Sequence, residues 1–255
     1  MIDHDRVSFC ARFDWPADRR QFPYCIGHRG ASGHRTENTP AAFALAADLG
    51  ADMWELDTQL TRDGVVMVSH DDHLQRVFGI DRKISQMTAA ELAALGTDVP
   101  SFAEVAALAR QRGTGLYIEL KAPGTGTLCL QHLLDEGQNF AAFGSFDVAQ
   151  VRALRDAGCG FPLSVLVRVG QNPHDLGDRA GADILHLCWE RAGERPQDLV
   201  TSALLQRAFD DRREVVLWHE ERQDILRDIM ALPVLGICTD LPELMRPAAP
   251  HGRAQ

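Results

Sequence analysis

The sequence predicts an α/β fold, a single (β/α)8 barrel. Short apolar runs alternate with helical stretches along the chain, the pattern of βα units on a parallel sheet. The length, 255 residues, is that of one barrel, a fold that runs to about 250 residues as a single unit. No linker, low-complexity block or internal repeat divides the chain, so residues 1–255 read as one domain with an N-terminal extension, 1–22, and a frayed tail, 246–255.

Nine runs read as strands: 24–28, 52–60, 65–70, 115–121, 140–146, 163–169, 182–187, 214–219 and 235–239. Helical patterning covers 40–49, 88–95, 101–112, 147–157, 199–212 and 221–231. Nine strands is one too many. Between the second and third lies only "TRDG" (61–64), far short of the dozen or so residues of a parallel crossover. Asp63-Gly64 is a hairpin signal. The run 65–70 is therefore expected to fold back on 52–60, a hairpin-like excursion at 52–70 beside eight barrel strands. Thr39, Pro40 and Gly50 match an N-cap, a first helical residue and a residue just past the helix end. His28 is thus placed where the first strand meets its loop, on the face where barrel enzymes carry their chemistry.

Composition narrows the function classes. A formal charge of -10 argues against general nucleic-acid binding. No stretch approaches the roughly 18 apolar residues of a membrane span. The start "MIDHDRVSFCARFDW" carries two aspartates and no apolar core of a secretory signal, which points to the cytoplasm. The six cysteines are scattered without metal-like spacing and read as reduced thiols acting as small core hydrophobes. Phe9, Phe13 and Trp15 give the extension an apolar face, suited either to plugging the barrel bottom or to packing on a partner.

Side chains alternate along a strand. In "DMWELDTQL" (52–60), Trp54, Leu56, Thr58 and Leu60 form one face, expected under the helices. Glu55 and Asp57 then point into the barrel. In "GLYIELK" (115–121) the inward set is Tyr117, Glu119 and Lys121. Three buried carboxylates are costly unless a cation joins them, and three converging on one mouth make a site for one hard divalent cation, Mg2+ or Ca2+. A lone inward glutamate would be an ordinary ion-pair partner, here of Lys121. His28 ends the first strand and His70 the third run, whose register sets it roughly opposite Glu55 to Asp57. Two imidazoles beside a metal supply general acid–base catalysis with a Lewis acid. Arg29 and Lys121 could then hold a phosphate, a local positive pocket in an acidic protein.

These residues resemble a known family, the glycerophosphodiester phosphodiesterases, related to the phosphatidylinositol phospholipases C. The resemblance rests on "GHRGASGHRTENTPAAF", "GADMWELDTQLTRDGVVMVSHDDHLQRVFG", "ISQMTAAELAAL", "VPSFAEVAAL", "YIELK", "GSFD" and "ICTDLPEL", in that order along nearly the whole chain. It implies a barrel phosphodiesterase that hydrolyses a glycerophosphodiester to sn-glycerol 3-phosphate and an alcohol. The metal ligands it implies are Glu55, Asp57 and Glu119, the acid–base pair His28 and His70, and the substrate contacts Arg29 and Lys121. The glycerol 2-hydroxyl would attack phosphorus, and water would open the resulting cyclic phosphate.

One segment departs from the family. Where Trp-Thr-Val-Asn is common, this chain has Trp218-His219-Glu220-Glu221. Trp218 is expected as a pocket wall. His219 and Glu220 read as solvent-facing loop residues, or else as an altered pocket preferring a cationic leaving group. Thr36 stands where proline is common, with little consequence expected. The second His-Arg pair, His34-Arg35, has no strand to aim it and is expected to face solvent. Three other readings compete: a non-catalytic barrel binding protein, a metal-dependent carbon–carbon lyase, which would not require paired histidines, and a phospholipase D-like enzyme of a related barrel family, which would want an exposed apolar rim.

Overall fold

The computed structural model describes residues 6–16 and 23–246. Nine strands lie in chain order: β1 (Tyr24–His28), β2 (Met53–Leu60), β3 (Val66–Val68), β4 (Gly115–Leu120), β5 (Ala141–Ser145), β6 (Leu163–Arg168), β7 (Ile184–Cys188), β8 (Glu214–His219) and β9 (Gly236–Thr239). The sheet order is β1-β9-β8-β7-β6-β5-β4-β2-β3, and β1 also pairs with β2. That last pairing closes eight parallel strands into a barrel. β3 runs antiparallel on β2, Thr58 opposite Val68 and Leu60 opposite Val66, so the fold-back signalled by Asp63-Gly64 is present. It is larger than the 52–70 excursion read from the sequence. Val68 N–H donates to the Pro100 carbonyl, and between them Met67, Leu74, Ile84, Met87 and Leu92 form a small core of their own.

Helices α1 (Arg6–Arg12), α2 (Pro40–Asp48), α3 (Gln75–Phe78), α4 (Ala89–Ala93), α5 (Phe102–Arg112), α6 (Thr125–Asp135), α7 (Val148–Asp156), α8 (Pro173–Ala180), α9 (Ser202–Asp210) and α10 (Gln223–Met230) follow. α2 starts as its sequence signals: Thr39 Oγ1 accepts from Ala42 N–H with Pro40 at the first position. The helical patterning read from the sequence omits α6 and α8, although α8 has Asn172 as N-cap, Pro173 at its first position and Gly181 past its end. α6 opens on Gly124, with no capping side chain. α8 has Gly177 in its interior, where a Cβ would come within 2.8 Å of Leu185 Cδ2; close packing on β7 has replaced helix propensity there.

The outward faces of the strands, Trp54, Leu56, Ile118, Leu120, Val165 and Leu217 among them, pack under the helices in one core. A second core fills the bottom of the barrel: Ile26, Met53, Tyr117, Ala142, Ile184 and Val216 meet Phe9, Cys10 and Trp15. The N-terminal helix therefore plugs the barrel end opposite the strand C-termini. Trp15 stacks edge-on against Tyr24 and Phe140, and Arg12 pairs with Asp183. The tail beyond Arg246 and residues 1–5 and 17–22 lie outside the described residues. Among those described, no helix is long and apolar enough to cross a membrane.

Candidate active site

The strand C-termini open on a cavity of about 260 Å³ lined by His28, Arg29, Glu55, His70, Glu119, Lys121, Trp218 and His219, among others. Strand alternation delivers the carboxylates as expected. Parallel register sets Glu55 level with His28 and Asp57 level with Glu119, and all three carboxylates are buried. One oxygen from each of Glu55, Asp57 and Glu119 lies within 4.8 Å of the others.

Two cations hold this cluster. Lys121 Nζ lies 2.7 Å from Glu119 Oε1 and 3.3 Å from Asp57 Oδ1. Arg29 has φ +56°, a left-handed conformation uncommon outside glycine. The turn lets its own N–H donate to Glu55 Oε2 at 2.9 Å while its guanidinium reaches Asp57 Oδ2 at 3.2 Å and Glu37 Oε1 at 2.9 Å. Gly30, at φ +83°, completes the turn against α2, where a Cβ would meet the Ala42 carbonyl carbon at 2.6 Å. The balance of charge is unequal. Burial would raise Asp57, but Arg29 and Lys121 hold it below the usual carboxylate range. Burial, then Asp57 and Glu119, push Glu55 well above that range. Burial and Asp57 lift Glu119 to about 7.

A divalent cation fits these residues. The donors are hard oxygens close enough to share one ion, Asp57 Oδ1 has the Lys121 ion pair but no hydrogen bond among the described residues, and a cation would offset the burial and mutual repulsion that raise Glu55 and Glu119.

The histidines flank the cluster. His28 Nδ1 is 2.7 Å from Asp240 Oδ1, which also accepts from Ser32 Oγ at 2.7 Å. With Nδ1–H bonded to a carboxylate, Nε2 is left as the proton acceptor. Burial depresses the proton affinity of His28, and Arg29 adds to the effect. Asp240, despite burial, is held down to about 2 by its bond to His28. On the other side, Ser69 N–H donates to the Asp57 carbonyl, continuing the β2–β3 ladder and bringing His70 level with 55–57 as the register predicted. His70 Nδ1 is 2.7 Å from Asp71 Oδ1, and Gln59 Nε2 donates to the His70 carbonyl at 2.9 Å. Asp71 pairs with Arg76, Arg76 with Glu37, and Glu37 with Arg29, so one chain of ion pairs ties the two histidine-bearing sides of the mouth together.

The segment after β8 corrects the sequence reading. His219 and Glu220 are not solvent-facing loop residues. The β8–β9 register skips from Leu217–Ile237 to His219–Cys238. This bulge turns His219 inward, where its ring stacks on His28 with centroids 4.6 Å and planes 4° apart. Glu220 is buried, 2% exposed, and bonds Trp218 Nε1 at 3.2 Å and Arg222 NH2 at 2.6 Å. Its charge is spent inside the protein, which removes it from any cationic leaving-group pocket. Trp218 is itself buried at the cavity wall. His34 and Arg35 are exposed, with His34 Nε2 on Glu243 at 2.7 Å.

Several residues that serve the site escaped sequence reasoning. Asp240 stands in the quoted "ICTDLPEL" but meets His28 only across the closing seam between β9 and β1. Asn38 lies in "TENTP"; its Nδ2 donates to Asp57 Oδ2 at 2.8 Å, from a left-handed φ of +58°. Asp71, in "VSHDDHL", is the partner of His70.

Fold and site together are those of a phosphoric diester hydrolase. The sequence profile of the glycerophosphoryl diester phosphodiesterase family matches residues 28–244, and the chain belongs to that family. It is 26% identical over 238 residues, 86% of this chain and 95% of the other, to a glycerophosphodiester phosphodiesterase of Caldanaerobacter subterraneus subsp. tengcongensis. The crystal structure of a glycerophosphodiester phosphodiesterase from Thermotoga maritima superposes with a TM-score of 0.75 at 26% identity, covering 89% of this chain and 98% of that one. An Oleispira antarctica phosphodiesterase in complex with the product sn-glycerol-3-phosphate shares the fold, with a TM-score of 0.72 at 21% identity over 87% of this chain and 94% of that one.

Proposed function

We propose that this enzyme hydrolyses small glycerophosphodiesters to sn-glycerol 3-phosphate and an alcohol, with one divalent cation, Mg2+ or Ca2+, held by Glu55, Asp57 and Glu119, and with His28 and His70 as proton carriers. The observation that carries the reading is the pairing of two cavity-lining imidazoles, each tied through Nδ1 to a carboxylate, with a buried three-carboxylate cluster. When bound, the cation supplies Lewis-acid stabilisation of the charge gathered on the reacting oxygens.

His28, kept neutral by burial, takes the proton of the glycerol 2-hydroxyl on Nε2 as that oxygen attacks phosphorus. The bond from phosphorus to the leaving alkoxide breaks, and His70 gives that oxygen a proton. Water then opens the cyclic phosphate with the two rings exchanging roles. Arg29 and Lys121 oppose the negative charge developing on the phosphoryl oxygens, and Trp218 closes the wall. The alternation of roles needs no protein nucleophile. The free thiols described at all six cysteines support a cytoplasmic setting.

Incubation with glycerophosphocholine and glycerophosphoethanolamine, with magnesium, calcium or EDTA, should yield glycerol 3-phosphate only with metal. Absence of product under every condition would favour a non-catalytic binding protein. An analogue lacking the 2-hydroxyl should not turn over, and full turnover of it would rule out cyclisation.

A further inference from the structure

Two arginines that the proposed reaction does not use stand at or beside the cavity: Arg191 lines it, and Arg168 lies over its wall residue Phe146. Arg168 ends β6 and is exposed; its guanidinium carbon lies 4.1 Å from the centroid of the Phe146 ring. Arg191, in the loop after β7, is exposed and lines the same cavity as Phe146. Among the described residues neither guanidinium has a hydrogen bond or ion pair. The contrast with the rest of the mouth is sharp. Arg29 and Lys121 are committed to Asp57 and Glu119, Arg76 to Asp71 and Glu37, and Arg222 to Glu220.

The acidic groups on this side face His219 and not either of these guanidinium groups. Glu190 Oε1 faces His219 Nε2 at 3.9 Å. Glu221 accepts from Asp240 N–H at 2.9 Å and stands 3.6 Å from His219 Nδ1. In a protein of net charge -10, positive charge left unanswered at the cavity rim is a local exception to the global field, and such a field selects ligands of opposite sign.

Phe146 connects Arg168 to the reacting phosphate, and Arg191 lines the same cavity. Lys121 Nζ lies 5.9 Å from the centroid of the same ring. The two cations therefore stand no farther apart than the sum of those distances, about 10 Å. A phosphodiester held at Lys121 would lead its leaving alcohol past Phe146 toward Arg168. With its carbon over the ring and no hydrogen bond among the described residues, the guanidinium keeps its N–H edge for a bidentate acceptor.

We propose that Arg168 and Arg191, with Phe146 as platform, form a leaving-group subsite for an alcohol that bears its own anionic group, a phosphate ester or a carboxylate. The inference rests on the phosphodiesterase reading given above. It replaces the cationic leaving group suggested by the sequence around Glu220.

The test compares kcat/KM for bis(glycerophospho)glycerol and the glycerophosphodiester of 3-hydroxypropionate with that for glycerophosphoglycerol and glycerophosphocholine, in the metal-supplemented full-length protein. The anionic leaving groups should be preferred, and the preference should shrink as salt is raised, because exposed charges are screened. Arg168→Gln should lower kcat/KM for bis(glycerophospho)glycerol by about tenfold, the scale of a charge-assisted hydrogen bond. It should leave glycerophosphocholine within about twofold. Arg168→Lys, which keeps charge but loses the fork, should fall between, and Arg191→Gln should act in the same direction. Phosphate-bearing and carboxylate-bearing arms separate the two sources of negative charge. Equal rates on all four diesters, or equal losses in Arg168→Gln on all of them, would overturn the subsite while leaving the phosphodiesterase reading intact. Failure to cleave any of them would overturn the reading itself.

Discussion

The His28 imidazole lies flat on that of His219, ring planes 4° apart and centroids 4.6 Å apart, while its Nδ1 is bound edge-on by Asp240 at 2.7 Å. One contact fixes the plane of the ring and the other its rotation within that plane. Nε2 is thereby aimed without a bond to it from any described residue.

Loss of either restraint should lower turnover without unfolding the protein. Asp240→Asn removes the carboxylate that selects the Nδ1–H tautomer; a fall in kcat of about 10- to 100-fold is expected, the scale seen for partners of functional histidines. His219→Ala removes a ring contact worth about 0.5–1.5 kcal/mol, and kcat should fall about 3- to 10-fold. His219→Phe retains a flat face and should recover most of that loss. Steady-state kinetics beside circular dichroism decides the matter. A His219→Phe variant as impaired as His219→Ala would show that stacking is not what His219 contributes.

The part played by His219 marks where sequence reasoning stopped. Period-2 alternation along β2 and β4 placed Glu55, Asp57, Glu119 and Lys121, because those strands are regular. β8 is not. Its bulge inserts Trp218 and reverses the facing of His219, and no residue in "EVVLWHEE" announces that. Asp240 was out of reach for another reason: its partner His28 is in the first strand and it follows the last, so their contact depends on barrel closure. The excursion was legible from "TRDG" because a short connection forbids a parallel crossover, yet its extent to Pro100 was not, since its helices are single turns. The N-terminal aromatics signalled burial without signalling against what.

Cation binding should be visible in stability alone. A ligand that binds only the folded state at 100 times its Kd stabilises by about 2.7 kcal/mol, which for a chain of this size corresponds to a rise in Tm of roughly 5–10 °C. Protein stripped with chelator and titrated with Mg2+ or Ca2+ should show this rise, and Asp57→Asn should abolish it. The same Tm with and without metal in the wild type would sink the assignment of Glu55, Asp57 and Glu119 as ligands.

Acid should destabilise the fold through His186. This ring is buried beneath the cavity, edge-on to Tyr117, and burial lowers its pKa to about 3, helped by His28 and His219. Its folded-state pKa lies below the unfolded value of about 6.5, so the unfolded chain takes up a proton first. Stability is then lost as pH falls from about 6.5 toward 3. From this group alone the loss between pH 7 and pH 5 is about 2 kcal/mol. His186→Phe should be less sensitive to acid than the wild type over that interval in denaturant titrations. Parallel losses in the two proteins would place the acid sensitivity elsewhere.

The aromatic plug at the barrel bottom offers the opposite separation, stability without activity. Trp15 is 5% exposed and packs against Phe9, Tyr24 and Phe140 at centroid distances of 5.6, 5.9 and 5.1 Å. Trp15→Ala removes a large buried side chain and leaves a cavity the neighbouring strands cannot close, at a cost of about 3–5 kcal/mol. The proposed catalytic groups all sit at the other end of the strands. Below its lowered Tm the variant should therefore keep kcat and KM close to wild type. Because Tyr24 begins the strand that His28 ends, a shift propagated along β1 would appear as reduced kcat at low temperature. That result would show the plug to be part of how His28 is held, whereas a fall in Tm with unchanged kcat would confine its role to closing the barrel.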